Sequence, residues 1–218
     1  MQDLKKTELF KKFERFGLID SDMWKYLGRL DELLPVIQKF LEYVPITYPH
    51  HTSHNIQHSL TVVHRIGQLL EDELVKEMTN VEFFIIVASA LLHDTGMVVS
   101  QEELERFEND PESQGTTSEY FRKNHASRSA KFVHDIQKLL DPSGPRNSRM
   151  IRYIAKICEA HGLPMERLED DEEFPRRVEI DLQEVNVKFL AACLRLGDLL
   201  DMDYQRACPI IILSLIHI

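Results

Sequence analysis

The sequence predicts an all-α fold, a helical bundle with room for one short β-hairpin near residues 177–187. Apolar residues recur at three- and four-residue intervals through most of the 218-residue chain, the period of a helix with one buried face. One run, residues 81–92, is apolar almost all round except Glu82 and Ser89, the mark of a helix buried on most sides. Breaks fall between the periodic stretches, at Gly17, Pro45, Pro49, Pro111, Gly115 and from Asp141 to Pro145.

The first element is expected over residues 4–16, where Leu4, Leu9, Phe10, Phe13 and Phe16 alternate with lysines and glutamates and Gly17 stops the helix. A second begins after Asp20 or Ser21 and runs to Phe40, with Pro35 kinking or dividing it. Residues 43–51, with two prolines, read as an extended connection. A third helix is expected over 53–74. Its inward stripe holds His58, Val62, Ile66 and Leu69, with His54 one turn earlier, while His64 falls on the polar side and reads as solvated.

The buried helix follows and ends at His93 and Asp94, with Gly96 as its stop signal. The acidic segment 100–119 reads as a long loop with a short helix inside it, a candidate lid. Residues 124–140 place His125, Ser129, Val133, Ile136 and Leu140 on one stripe, with small neighbours Ala126, Ser127 and Ala130 that let another helix approach. Ile151, Ile154, Cys158 and His161 share a face of the next helix, and Leu190, Ala191, Leu194 and Asp198 a face of the last, over 187–200. Residues 208–218 (CPIIILSLIHI) carry no charge and no pattern continuous with what precedes them, so they are read as a non-native tail. The domain division is then 1–45, helices packing on the core; 46–207, the functional domain; and 208–218.

A net charge of −10 and a pI near 5.5 argue against a general nucleic-acid binder. Three cysteines without metal-type pairing give no disulfide framework, which fits a reducing, cytoplasmic setting. No stretch approaches the apolar length of a membrane span.

An Asp at the end of a buried helix is electrostatically misplaced, because the last carbonyls already carry partial negative charge. A single His-Asp pair there is readily explained by backbone hydrogen bonds, and a single inward histidine by a satisfied core position. Here five stretches each deliver such a residue from an inward face or tip: His58, His93 with Asp94, His125, His161 and Asp198. So many converging on one core require a cation. Mixed imidazole and carboxylate ligands suit Mn, Fe, Co, Ni or Zn, with Mg also admissible, and six can hold one or two ions.

These residues resemble the HD superfamily of metal-dependent phosphohydrolases. Gln57-His58-Ser59-Leu60-Thr61-Val62 is similar to its first-histidine helix, Ala90-Leu91-Leu92-His93-Asp94-Thr95-Gly96 to its HD helix, and Leu194-Arg195-Leu196-Gly197-Asp198-Leu199-Leu200-Asp201 to its final-aspartate helix. Within it, HDTGMVVS from His93, HASRSAKFV from His125 and ICEAHGL from Ile157 resemble the HD-CE group, associated with bacterial defence and often fused to a GHKL-type ATPase domain. Glu-Asp after the HD pair, a His or Lys at the Met97 position and a GYP after His161 are all absent, so the well-known substrate classes of the superfamily are not matched.

The resemblance implies a metal-dependent phosphohydrolase in which a metal-bound water attacks a phosphoester or phosphoanhydride, in a small anionic substrate such as a nucleotide. His58, His93, Asp94, His125, His161 and Asp198 are the implied ligands, with Asp94 bridging. His54, followed by Asn55, resembles the His-Asn of cyclic-nucleotide phosphodiesterases and is the expected general acid. Arg128, Arg149 and Arg152 are expected to orient the phosphate, and a covalently linked ATPase domain is an expected partner. Two alternatives stand beside this: a non-catalytic nucleotide-sensing domain of a larger ATPase-containing defence protein, and a di-iron oxygenase with the same ligand order. The Asp94-Thr95-Gly96 triplet is also that of aspartic proteases, but those need two such triplets on β-loops.

Overall fold

The computed structural model describes residues 1–48, 55–110, 115–142, 144–145 and 148–201. A 3-10 turn, Leu4–Lys6, leads into α1, Glu8–Arg15, capped by Thr7, whose Oγ1 accepts from the Phe10 N–H. Gly17, at φ +68°, adopts the left-handed conformation that turns the chain afterwards. α2, Met23–Leu41, is one helix that runs through Pro35. Pro35 is exposed, so the carbonyl it leaves unpaired faces water, while Leu27, Leu30, Leu34, Ile37 and Leu41 keep the helix on the core.

Residues 44–47 form a single helical turn, α3, Val44–Thr47, rather than the expected extended chain, because Pro45 is compatible with a first turn that needs no N–H. Residues 49–54, and with them His54, lie outside the described residues. The helix expected over 53–74 is two: α4, Ile56–Leu69, capped by Asn55, and α5, Asp72–Glu77. His64 is half-buried rather than solvated, and its Nδ1 accepts from the Glu8 N–H at 3.1 Å, tying α1 to α4.

α6, Asn80–Leu92, starts with a capping box between Thr79 and Glu82, and every residue from 81 to 92 is buried. After it come α7, Gln101–Asn109, and α8, Thr117–Lys123. The stretch read as one helix over 124–140 breaks at Ile136 into α9, His125–Asp135, and α10, Gln137–Leu140. α11, Arg149–Ala160, and the single turn α12, Met165–Leu168, follow. The expected hairpin is present: β1, Val178–Ile180, pairs antiparallel with β2, Gln183–Val185, with Val178 opposite Val185. Asp181 and Leu182 both take positive φ, the two-residue turn that matches strand twist. α13, Val187–Leu199, closes the described chain.

α6 is the axis of the bundle, with α2, α4, α11 and α13 packed round it. α1 lies across α4 at Gly67, where a Cβ would sit 2.1 Å from the Leu9 backbone nitrogen. Phe10 meets Phe83 of α6 edge-on and Phe13 meets it tilted, their ring centroids 6.1 and 4.4 Å away, so the N-terminal helices share one core with the rest. Among the described residues no single helix is long and apolar enough to cross a membrane. The apolarity of α6 is accounted for by its burial.

Candidate metal centre

The site is built from helix ends. His93 caps the C-terminus of α6 and Asp94 follows it; His161 caps the C-terminus of α11. His125 comes directly after the α8 C-cap, Asn124, and Asp198 occupies the last turn of α13. His58 sits in the first turn of α4, and His125 is also the first residue of α9. The C-terminal ends of α6, α8, α11 and α13 therefore meet at one point, each bringing last-turn carbonyls and partial negative charge.

The six side chains fall into two sets joined by Asp94. One ligand atom each from His58, His93 and Asp198 lies within 4.8 Å of the others, and the same holds for Asp94, His125 and His161. Asp94 Oδ2 lies 3.1 Å from His58 Nε2 and 3.2 Å from His93 Nε2, while its Oδ1 is 3.5 Å from His125 Nε2. Asp198 Oδ1 completes the first set, 3.3 Å from His58 Nε2 and 3.6 Å from His93 Nε2. In the second set, His125 and His161 approach Nε2 to Nε2 at 2.7 Å. Ligands about 2.1 Å from a shared ion at tetrahedral or octahedral angles are roughly 3.0–3.4 Å apart, close to most of these spacings.

Every ring is oriented by its other nitrogen. His93 donates Nδ1–H to Ala90 O (2.9 Å), His125 to Arg122 O (2.6 Å) and His161 to Cys158 O (2.5 Å). These are carbonyls three residues back in the last turns of α6, α8 and α11, where the regular helical ladder runs out. Carbonyls only accept, so the proton is on Nδ1 and the Nε2 lone pair points inward. His58 has the same tautomer by another route: its Nδ1 donates to Asp201 Oδ2 at 2.5 Å.

Lone pairs facing at 2.7 and 3.2 Å repel unless something cationic lies between them. Protons and metal ions are the two candidates, and the electrostatics favour charge. Burial opposes protonation of His58, but the hydrogen bonds it donates to Asp198, Asp201 and Asp94 outweigh it and raise its pKa to about 9. His93 is likewise raised against its burial by Asp94 and Asp198. Asp198, which burial alone would push up, is held well below the carboxylate range by His58 and His93. His161 goes the other way, pushed down to about 3 by burial and by cationic His93. It keeps a free lone pair, as a ligand must. The donor set, its spacing and the facing lone pairs all fit one or two divalent transition metal ions.

The turn carrying His93 and Asp94 is clamped by α9. Buried Ser129 donates to His93 O at 2.5 Å and accepts from the Gly96 N–H at 2.8 Å. Gly96 is not a left-handed helix stop: it lies in a 3-10 turn, Thr95–Met97, pressed against α9, where a Cβ would be 2.0 Å from His125 O. Arg195 holds the other wall, donating to Ala160 O and Leu163 O on either side of His161.

The three arginines expected to orient phosphate are engaged elsewhere. Arg128 spends its guanidinium on Gly96 O, Val98 O and the Glu103 carboxylate. Arg149 bonds Glu179 O, and Arg152 bonds Tyr153 Oη and lies over that ring. Both stand at the start of α11, roughly 13–18 Å along the helix from His161 by its rise per residue. The residues that reading by stripe missed are Asp201 and Arg195, and Ser129 was placed on the inward stripe without its clamping role. Asp201 had a legible signal, an acid one turn beyond Asp198; a capping arginine has none.

The model of the HD-CE family matches residues 47–218. No curated protein and no solved structure matches the chain. With most of its length matched and the His58, His93-Asp94 and Asp198 pattern assembled at one centre, the chain belongs to the HD-CE family.

Proposed function

We propose that this chain is a metal-dependent phosphohydrolase that cleaves a phosphoester or phosphoanhydride bond in a small anionic substrate, a nucleotide being the preferred class. The observation that carries the reading is Asp94, whose two oxygens face two different ligand sets. A second is the unequal exposure of the centre. The side chains of His58 and His93 are 1% and 0% exposed, whereas those of His125 and Asp198 are 21% and 31% exposed. One side is sealed by the core and the other admits substrate.

Bound at this centre, one or two divalent ions supply Lewis acidity and bring the pKa of a water towards neutrality. The protein's part is to fix four imidazoles with their lone pairs inward and to hold both ligand sets together through Asp94. When the water oxygen bonds to phosphorus, the leaving oxygen needs a proton. His54, one residue before the α4 cap Asn55 in the sequence, is proposed to give it. A covalently linked ATPase domain belongs to the same proposal as partner.

The test is metal content after purification without chelator, with phosphate release from a nucleotide panel in manganese, on the chain and on His93→Ala and Asp94→Ala. Bound transition metal and release abolished in both variants support the phosphohydrolase. Tightly held iron with oxygen uptake and no phosphate release would instead establish a di-iron oxygenase. A metal-free, inert protein that still binds nucleotide would be a sensing domain.

A further inference from the structure

Three of the four histidines at the centre follow the end of a helix and use a carbonyl of its last turn to fix their tautomer. His58 does not: the carbonyl three residues back, Asn55 O, already accepts from the Ser59 N–H, and the Asn55 side chain accepts from the His58 N–H itself. The acceptor it finds is Asp201 Oδ2, 2.5 Å from Nδ1, on a residue 4% exposed. The backbone turn after α13, in which the Asp201 N–H bonds Asp198 O, brings this carboxylate behind the ring while Asp198 faces its front. A carboxylate also suits the positive end of α4, where a carbonyl dipole would be a weaker complement.

We propose that Asp201 is a positioning residue for His58 that makes the His58–His93–Asp198 set the higher-affinity half of the centre, filled before the Asp94–His125–His161 set. This rests on the metal reading above. An anionic acceptor on Nδ1 gives His58 greater electron density at Nε2 than a carbonyl gives the other three rings, and fixes its orientation more firmly. Both imidazoles of the first set are also buried, at 1% and 0% exposed, whereas His125 in the second is 21% exposed, so the orientation of the first pair is shielded from water.

The experiment uses the untagged chain and zinc, which is diamagnetic, so that calorimetric titration and proton–nitrogen spectra of labelled histidine can be read on one sample. In the wild type two binding steps are expected, and a downfield His58 Nδ1–H resonance persists through both. Asp201→Asn keeps the shape and removes the charge. It is expected to weaken the tighter step by about 10- to 100-fold, to leave the weaker step unchanged, and to shift the His58 resonance upfield, with circular dichroism unaltered. Equal weakening of both steps, or none, in a folded variant overturns the role given to Asp201. Should the variant not fold, the wild-type spectrum decides: a His58 Nδ1–H no further downfield than those of His93, His125 and His161 overturns it as well. A wild type that takes up no zinc overturns the metal reading itself, a different result from zinc uptake indifferent to Asp201→Asn.

Discussion

At the scale of single residues, the centre works by leaving each imidazole only one role. The carbonyls behind His93, His125 and His161 and the carboxylate behind His58 take the Nδ1 protons, so anything that binds must use Nε2. Protons compete for the same atoms. His58 is raised to about 9 by Asp198, Asp201 and Asp94 against its burial, and His93 is raised too. A group with a raised pKa keeps its proton until the pH passes that value, so a metal ion binding there would have to displace protons from these rings throughout the neutral range. Metal affinity should therefore climb from about pH 6 towards about pH 9 with net proton release. Titration calorimetry in buffers of different ionisation enthalpy measures this, and an affinity indifferent to pH would contradict it. Ser129→Ala strands the Gly96 N–H and a lone pair of His93 O in a dry interior. It should cost about 1–3 kcal/mol of stability, read from thermal or denaturant unfolding.

At the scale of elements, the decisive contact is between the turn after α6 and the first turns of α9. Gly96 permits it, since a Cβ there would meet His125 O at 2.0 Å and Ser129 N at 2.6 Å, both backbone atoms that yield only if α9 moves. Gly96→Ala should destabilise the protein by about 1–3 kcal/mol or more and lower metal stoichiometry, because His125 moves with α9. Gly28, with nothing within 4 Å of the corresponding position, is the control. In α2 its replacement by Ala should be neutral or stabilising by up to about 1 kcal/mol. α7 is held to α9 by Glu103 and Arg128, bonded at 2.6 Å. That bond, with help from Ser100, lowers the Glu103 pKa to about 2. A depressed carboxylate stabilises above its unfolded value of 4.5 and loses that contribution as pH falls through about 2. Amide protection in α7, measured relative to the intrinsic exchange rate at each pH, should accordingly fall as the pH is lowered across that window before that of α6 does, and Arg128→Ala should lower it at neutral pH.

For the whole molecule, four helix C-termini and two carboxylates, Asp94 and Asp198, point their negative ends at one place, with Asp201 behind the His58 ring. A cation that binds only the folded chain adds stability by mass action, about 2.7 kcal/mol at a concentration of 100 times Kd. For a chain of this size that corresponds to a rise in Tm of about 5–10 °C. The rise should be reversed by chelator and absent in Asp94→Ala, as differential scanning calorimetry with and without zinc would show.

The helices, the hairpin and the six side chains that cluster at the centre were readable from the sequence because each is recorded locally. A 3.6-residue period places His58, His125, His161 and Asp198 on buried faces, and a run such as 81–92 has no exposed side. What pattern could not supply was anything that depends on the far side of a contact. Pro35 stays inside α2 because burial on one face outweighs a lost bond on the other. His64 is half-buried because α1 folds back on it, and Arg128 is occupied because α7 brings Glu103 to it. Asp201, Ser129 and Arg195 acquire their roles only when helices distant in the chain meet at the centre. Periodicity tells which way a side chain faces; what it faces is decided by packing, through hydrogen bonds between residues dozens of positions apart.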